Sequence, residues 1–364
     1  TALIGGGPGA IFWMWVSAFF GMSTIYAEAT LAQQYKVKKD GEVTGGPVYY
    51  IRAAFKGTFG EALAAIFAIL IVLALGFTGN MVQSNSIGAA FSEVFSARNI
   101  EIPSIVFGLI LAAVIGFIFL GGVNRLASVV EKIVPIMAGI YIVGSLVLIL
   151  MNITALPEAI KMIFVGAFNP EAVVGAGAGI AVREAIRFGV ARGLFSNEAG
   201  MGSTPHAHAR AKVENPHKQG LAAMISVFID TFIILNLTVF SILTTGVLDS
   251  GKEGTALTQA AFTKGFGNFG DIFVAVCLLF FAFSTILGWH FFGEVNVKYL
   301  FGEKAAKFYS ILVIGFVIVG STLKVQLVWS LSDFFNGLMV IPNAIALWAL
   351  SGIVVKICKQ YGKK

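Results

Sequence analysis

The sequence predicts an all-α polytopic membrane protein, and three observations carry that prediction. Hydrophobic residues make up 57% of the 364 positions, charged residues only 12%, and the mean hydropathy is +0.86. A soluble domain carries about a quarter charged residues. The apolar residues fall into long runs, each near the ~20 residues that a bilayer core requires. The basic residues lie in short segments between these runs, so the net charge of +6 is not a nucleic-acid footprint.

About nine spans are expected on that length criterion, at residues 8–32, 60–95, 103–120, 128–153, 171–211, 221–246, 271–295, 305–322 and 325–357. The 60–95 run is too long for one perpendicular helix and is expected to tilt or to extend into solvent. Pro157 to Phe168 reads as a short amphipathic piece, and Glu253 to Phe266 as a second connecting helix. The last span contains Pro342, which predicts a kink, with two shorter elements as the alternative. The whole of 1–364 is taken as one transmembrane domain. Cys277 and Cys358 are expected to be free thiols.

Charge sets the orientation. One set of alternate loops, with the C-terminus, holds Lys36, Lys38, Lys39, Lys212, Lys304 and Lys359 among others, while the opposite set holds only Arg98, Lys161, Lys252, Lys264 and Lys324. The positive-inside rule then predicts a cytoplasmic C-terminus. The chain starts without methionine and enters an apolar run at once, and is read as the N-terminally incomplete remainder of a longer protein.

The stretch that breaks the apolar pattern is Gly193 to Pro205, GLFSNEAGMGSTP. Three glycines and a proline argue against an unbroken helix, and the break is placed near 193–200. Irregular backbone at membrane depth is tolerated where protein buries it or where it lines a cavity, and an intramembrane acid points to function. The stretch therefore reads as part of a site for a small polar solute, a cation, or both. A loop at the membrane surface is the alternative.

Other polar residues within spans extend the candidate set. Asn80, Gln83 and Ser84 share one helix face by spacing, either as a pocket wall or as interhelical hydrogen bonders. Arg183, Glu184, Arg187 and Arg192 precede the break and suit an external vestibule or a plain helix end. Asp230 is a candidate partner for a cation or for a buried arginine, and Asp333 with Asn336 for a gate. Ser284 and Thr285 are adjacent hydroxyls that either cap backbone carbonyls or offer hard oxygen ligands to a small cation. Trp289 lies one turn further on the same face. Glu28 lies near a span end, where snorkelling at the interface or helix packing is expected. His206 and His208 are expected to be solvated. No Walker A, G-x-S-x-G or H-E-x-x-H pattern occurs, so ATP-driven pumping and hydrolysis have no support in the sequence.

Three stretches resemble one known family. GGGPGAIFWMWVSAFFGM (Gly5 to Met22), GGPVYYI (Gly45 to Ile51) and RGLFSNEAGMGS (Arg192 to Ser203) look like the signatures of the alanine or glycine:cation symporters. That resemblance implies a leucine-transporter (LeuT)-like inverted-repeat fold, with core helices one and six broken at mid-membrane. The span starting at residue 8 would be core helix two, and the glycine-rich break of core helix one would lie upstream of this chain. It further implies sodium-coupled symport of alanine or glycine across the cell membrane, with a proton-coupled carrier as an alternative and a channel or a membrane enzyme as other classes. No enzymatic activity, organic cofactor or obligate protein partner is expected; the partners are the amino acid and the lipid bilayer. Laid on the family scheme, Phe195, Ser196 and Asn197 would line the substrate at the break, Gln83 and Asn80 would approach from helix three, and Thr285 and Trp289 would complete the pocket. The Phe281 carbonyl, Ser284 and Thr285 would contribute to a second-type sodium site.

Overall fold

The computed structural model describes residues 2–39, 41–119, 122–169 and 182–362. The chain is helical nearly throughout. The elements are α1 (Ala2–Gly6), α2 (Gly9–Gln34), α3 (Pro47–Ala54), α4 (Thr58–Ser96), α5 (Ser104–Phe119), α6 (Gly122–Met151), α7 (Leu156–Phe168), α8 (Val182–Asn197), α9 (Pro205–Arg210), α10 (Pro216–Thr245), α11 (Gly254–Phe266), α12 (Gly270–Phe301), α13 (Glu303–Thr322), α14 (Val325–Ala349) and α15 (Ser351–Tyr361). Seven stretches among the described residues are long and apolar enough to cross a bilayer: α2, α4, Ser128–Met151, α10, Gly254–Phe301, α13 and α14. At 16 residues, α5 is apolar but shorter.

Several expectations need correcting. The all-α class holds, with one small addition: an antiparallel hairpin that pairs β1 (Val37–Lys39) with β2 (Glu42–Thr44). The final stretch is two helices meeting at Leu350, and Pro342 lies inside α14 without ending it. Of the 171–211 span, residues 171–181 lie outside the described set; α8 and α9 form the helical parts of the rest, and the helix holds through 193–197. The break is therefore Glu198 to Thr204, not 193–200. Gly193 packs within the helix, where an added Cβ would lie 3.6 Å from Met14 and Ser17.

Two of the long helices widen without breaking. Val72–Gly79 within α4 and Ile229–Leu235 within α10 are π-helical. Such turns disturb the regular side-chain register and occur often at functional sites. The first makes room for large rings: a Cβ at Gly76 would lie 2.5 Å from the Tyr309 hydroxyl, and one at Gly79 2.7 Å from the Trp289 ring.

The helices pack as two groups. In one, α2 lies against α8 and α10 through Ala18, Ile25, Ala29, Ala199, Ala223 and Val227. In the other, α4 packs with α12 and α13, and α5 with α13, around a core that includes Phe67, Ile71, Leu75, Phe283, Trp289, Tyr309 and Val313. Direct packing between the groups is sparse among the described residues, and the unwound 198–204 segment lies at the seam.

Candidate functional site

The seam encloses a cavity of about 430 Å³. Its wall includes Gln83 from α4, Phe195 and Ser196 from the last turn of α8, Glu198 from the break, and Thr285 and Trp289 from α12. Five of the seven residues expected at a substrate pocket thus share one cavity. Asn80 and Asn197 are not in its lining. Asn80 is completely buried and donates to the Gly76 carbonyl of its own helix at 3.0 Å. Asn197 donates to Thr231 Oγ1 at 3.2 Å, and its Oδ1 accepts from the Ala199 amide at 3.1 Å, so it holds the turn that leaves α8. Ser84 is likewise turned back onto the Met81 carbonyl. The amide-rich face of α4 therefore contributes Gln83 alone to the cavity.

Three acids stand near the break, and none has a basic partner among the described residues. Asp230, in the π-helical turn of α10, accepts from Ser196 Oγ at 2.8 Å. Glu198 accepts from the Trp289 indole N–H at 2.6 Å and from the Ser203 hydroxyl. Both carboxylates reach the cavity. The third, Glu28, is completely buried, against the interfacial position expected from its place near a helix end. It accepts from the Gly200 and Gly202 amides at 2.9 and 2.8 Å and from Asn343 Nδ2 at 2.6 Å. The C-terminal end of α8, with its outward carbonyls, adds partial negative charge at the same place. This wall suits a cation or an ammonium group.

A second, larger cavity of 780 Å³ adjoins the first, and Arg192 and Trp329 line both. Arg192 is buried and forks onto Asp333, with Nη1–Oδ1 2.7 Å and Nη2–Oδ2 2.5 Å. Its guanidinium lies 4.3 Å over the Trp329 ring. Phe195 packs on both Trp329 and Trp289, with centroids 4.8 and 5.5 Å away. A bidentate pair with a stacked ring has defined geometry; Asp333 lines the larger cavity, and Phe195 and Trp289 the smaller. Arg183 and Arg187 are exposed at the other end of α8 beside Glu184.

Ser284 Oγ and Thr285 Oγ1 both donate to the Phe281 carbonyl at 2.9 Å. This is the backbone-capping arrangement. It also gathers three hard oxygens within one turn, and rotation of the two hydroxyls would expose their lone pairs together with the carbonyl's.

The histidines differ from expectation. His206 is buried: Nδ1 lies 2.7 Å from the Ser203 carbonyl, Nε2 lies 2.8 Å from Asn296 Nδ2, and the ring stacks near Phe67. His208 is half-buried and meets Gln219 at 2.7 Å. Asn296 and Asn343 were not singled out by sequence reasoning. The usable signal was the amide side chain itself, within an apolar helix and, for Asn343, directly after Pro342.

The sequence model of the sodium:alanine symporter family matches residues 1–364. The amino-acid carrier protein AlsT of Bacillus subtilis is 42% identical over 100% of this chain and 76% of its own length. The probable sodium/glutamine symporter GlnT of the same organism is 41% identical over 99% and 73%. The sodium/alanine symporter AgcS of Methanococcus maripaludis is 40% identical over 100% and 79%. With its helical spans, its helix break beside an acid-lined cavity and this full-length match, the chain belongs to the sodium:alanine symporter family, a family of membrane transporters.

Proposed function

We propose that this chain carries out sodium-coupled symport of a small neutral amino acid, alanine or glycine, by alternating access in the cell membrane. The observation that supports this most directly is the convergence of Gln83, Phe195, Ser196, Thr285 and Trp289 on one cavity beside an unwound segment. In this reading the substrate ammonium lies toward Ser196, Asp230 and the carbonyl end of α8. Phe195 and Trp289 cover the small apolar side chain. Asn197 supports the site by holding the turn, and Asn80 by bracing α4. Sodium, as the co-transported ion, is held by the Phe281 carbonyl, Ser284 and Thr285. No organic cofactor and no bond chemistry take part.

Chain 1–364 acts as a single domain with a LeuT-like inverted repeat of about nine spans, in the sense that a broken helix holds the guest near mid-membrane. The C-terminus is cytoplasmic, which the lysine-rich loops support. The Arg192–Asp333 pair and its two aromatic neighbours part and re-form as the larger cavity gains and loses access to the smaller one. A membrane potential contributes about 2.3 kcal/mol per charge per 100 mV, which suffices for accumulation.

The test is uptake of labelled alanine by the full-length protein in proteoliposomes, with and without an inward sodium gradient. Saturable, sodium-dependent accumulation is expected. Uptake that follows a proton gradient and ignores sodium would transfer the reading to proton coupling, with Glu198 as the acid to mutate.

A further inference from the structure

We infer that Glu28 is a positioning residue: its carboxylate is the built-in anion of a backbone nest formed by the unwound segment, and so holds the substrate-facing turn in shape. The backbone makes the nest. Glu198, Gly200 and Gly202 have φ of 56, 93 and 79°, so every second residue from 198 to 202 is left-handed. Alternation of this kind turns successive N–H groups toward one side and creates an anion-binding concavity. The amides of Gly200 and Gly202 both point at Glu28, one to each carboxylate oxygen.

Glu198 N–H reaches the Leu194 carbonyl, Ala199 N–H the Asn197 side chain, and Met201 N–H the Glu198 carbonyl. Unlike these three, the two glycine amides bond to another helix. Asn343 braces the carboxylate from α14, donating also to the Gly200 carbonyl at 2.9 Å and accepting from the Tyr50 hydroxyl at 2.5 Å. Every hydrogen bond the structure gives the Glu28 side chain is thus one that it accepts. The two glycine amides are thereby occupied and unavailable to a substrate carboxylate. What the segment presents to the cavity is its other side, including Glu198, held by Trp289.

Glutamine at position 28 keeps the shape but replaces one acceptor oxygen with a donor, so at least one nest amide loses its partner. The experiment uses the full-length protein and two readouts. Hydrogen–deuterium exchange of Glu28→Gln should be at least tenfold faster at Gly200, at Gly202 or at both than in the parent chain, with α12 and α13 unchanged. In proteoliposomes the apparent KM for alanine should rise tenfold or more, while half-saturation by sodium stays within twofold. Unchanged exchange at the two glycines overturns the inference, and so does a fall in maximal rate with KM unaltered, since that marks loss of folded protein rather than of positioning. Only the transport readout rests on reading the cavity as the substrate site. If the parent chain takes up no alanine, that reading fails while the exchange readout still decides the role of Glu28.

Discussion

The two helix groups are held together by different means. Between α2, α8 and α10 the contacts are small side chains and bare backbone. A Cβ at Gly189 would lie 2.5 Å from the Ala10 carbonyl oxygen and 2.6 Å from Trp13 Cβ, and one at Gly220 would meet Tyr26 and Thr30 at 2.5–2.6 Å. Between α4, α12 and α13 the contacts are large rings, with Phe77 stacked on Phe316 at 4.5 Å and His290 on Tyr309 at 5.3 Å. In lipid there is no hydrophobic drive between helices, so association rests on fit and on hydrogen bonds. Across the seam the ties are mainly polar: Glu28 to Asn343, Glu198 to Trp289, His206 to Asn296 and Arg192 to Asp333. Apolar fit makes each group one body, and hydrogen bonds, with Phe195 set between Trp289 and Trp329, join the bodies near the break.

Gly189→Ala tests the first half of that contrast and should have the largest effect. The added methyl meets backbone, which cannot rotate away, so α2 and α8 must separate. Overpacking of this kind costs about 1–3 kcal/mol. Because the displaced helix end carries Phe195 and Ser196, uptake should fall tenfold or more. Activity within twofold of the parent chain would mean that the α2–α8 contact does not set the pocket.

The contrast also explains what could be read from sequence. Helical class, the order of the helices and the neighbourhood of the break follow from hydropathy and glycine content, which are local properties. The register of the break does not. Gly193 reads as one of its breakers, yet its small size serves helix packing, while the left-handed positions are 198, 200 and 202. Glu28 differs for a related reason: its distance from the helix end fits an interface, and only the fold shows that two glycine amides await it 172 and 174 positions along the chain. His206 lacks the neighbours of a metal set and reads as solvated, but α9 folds back under Phe67 and Phe292. The sheet at 37–44 was missed despite a legible signal, since an Asp-Gly pair between short runs favours a two-residue hairpin.

A smaller effect is expected on the α12 side of the cavity, where the hydroxyls of Ser284 and Thr285 have two possible duties. As backbone caps they matter little, because the Phe281 carbonyl receives both. As ion ligands each supplies one oxygen. Ser284→Ala and Thr285→Ala should each raise the sodium concentration for half-maximal alanine uptake about fivefold, equivalent to about 1 kcal/mol, while Thr285→Ser stays within twofold. Unaltered sodium dependence in both alanine variants would leave the hydroxyls as caps only.

The smallest effect belongs to the interior of the ring-packed group. Val313 on α13 is completely buried in the core around Tyr309 and Phe283, away from the cavity lining. Val313→Ala removes two carbon atoms whose contacts are worth about 0.1–0.2 kcal/mol each. Because the lipid-dissolved state offers comparable contacts, the net loss should be about 1 kcal/mol or less. Thermal unfolding in detergent should shift by only a few degrees, with KM for alanine and for sodium unchanged. If this conservative truncation instead raised the KM for alanine as strongly as Gly189→Ala, the groups would not behave as separate bodies, and shape at the pocket would have to depend on the whole bundle rather than on the seam.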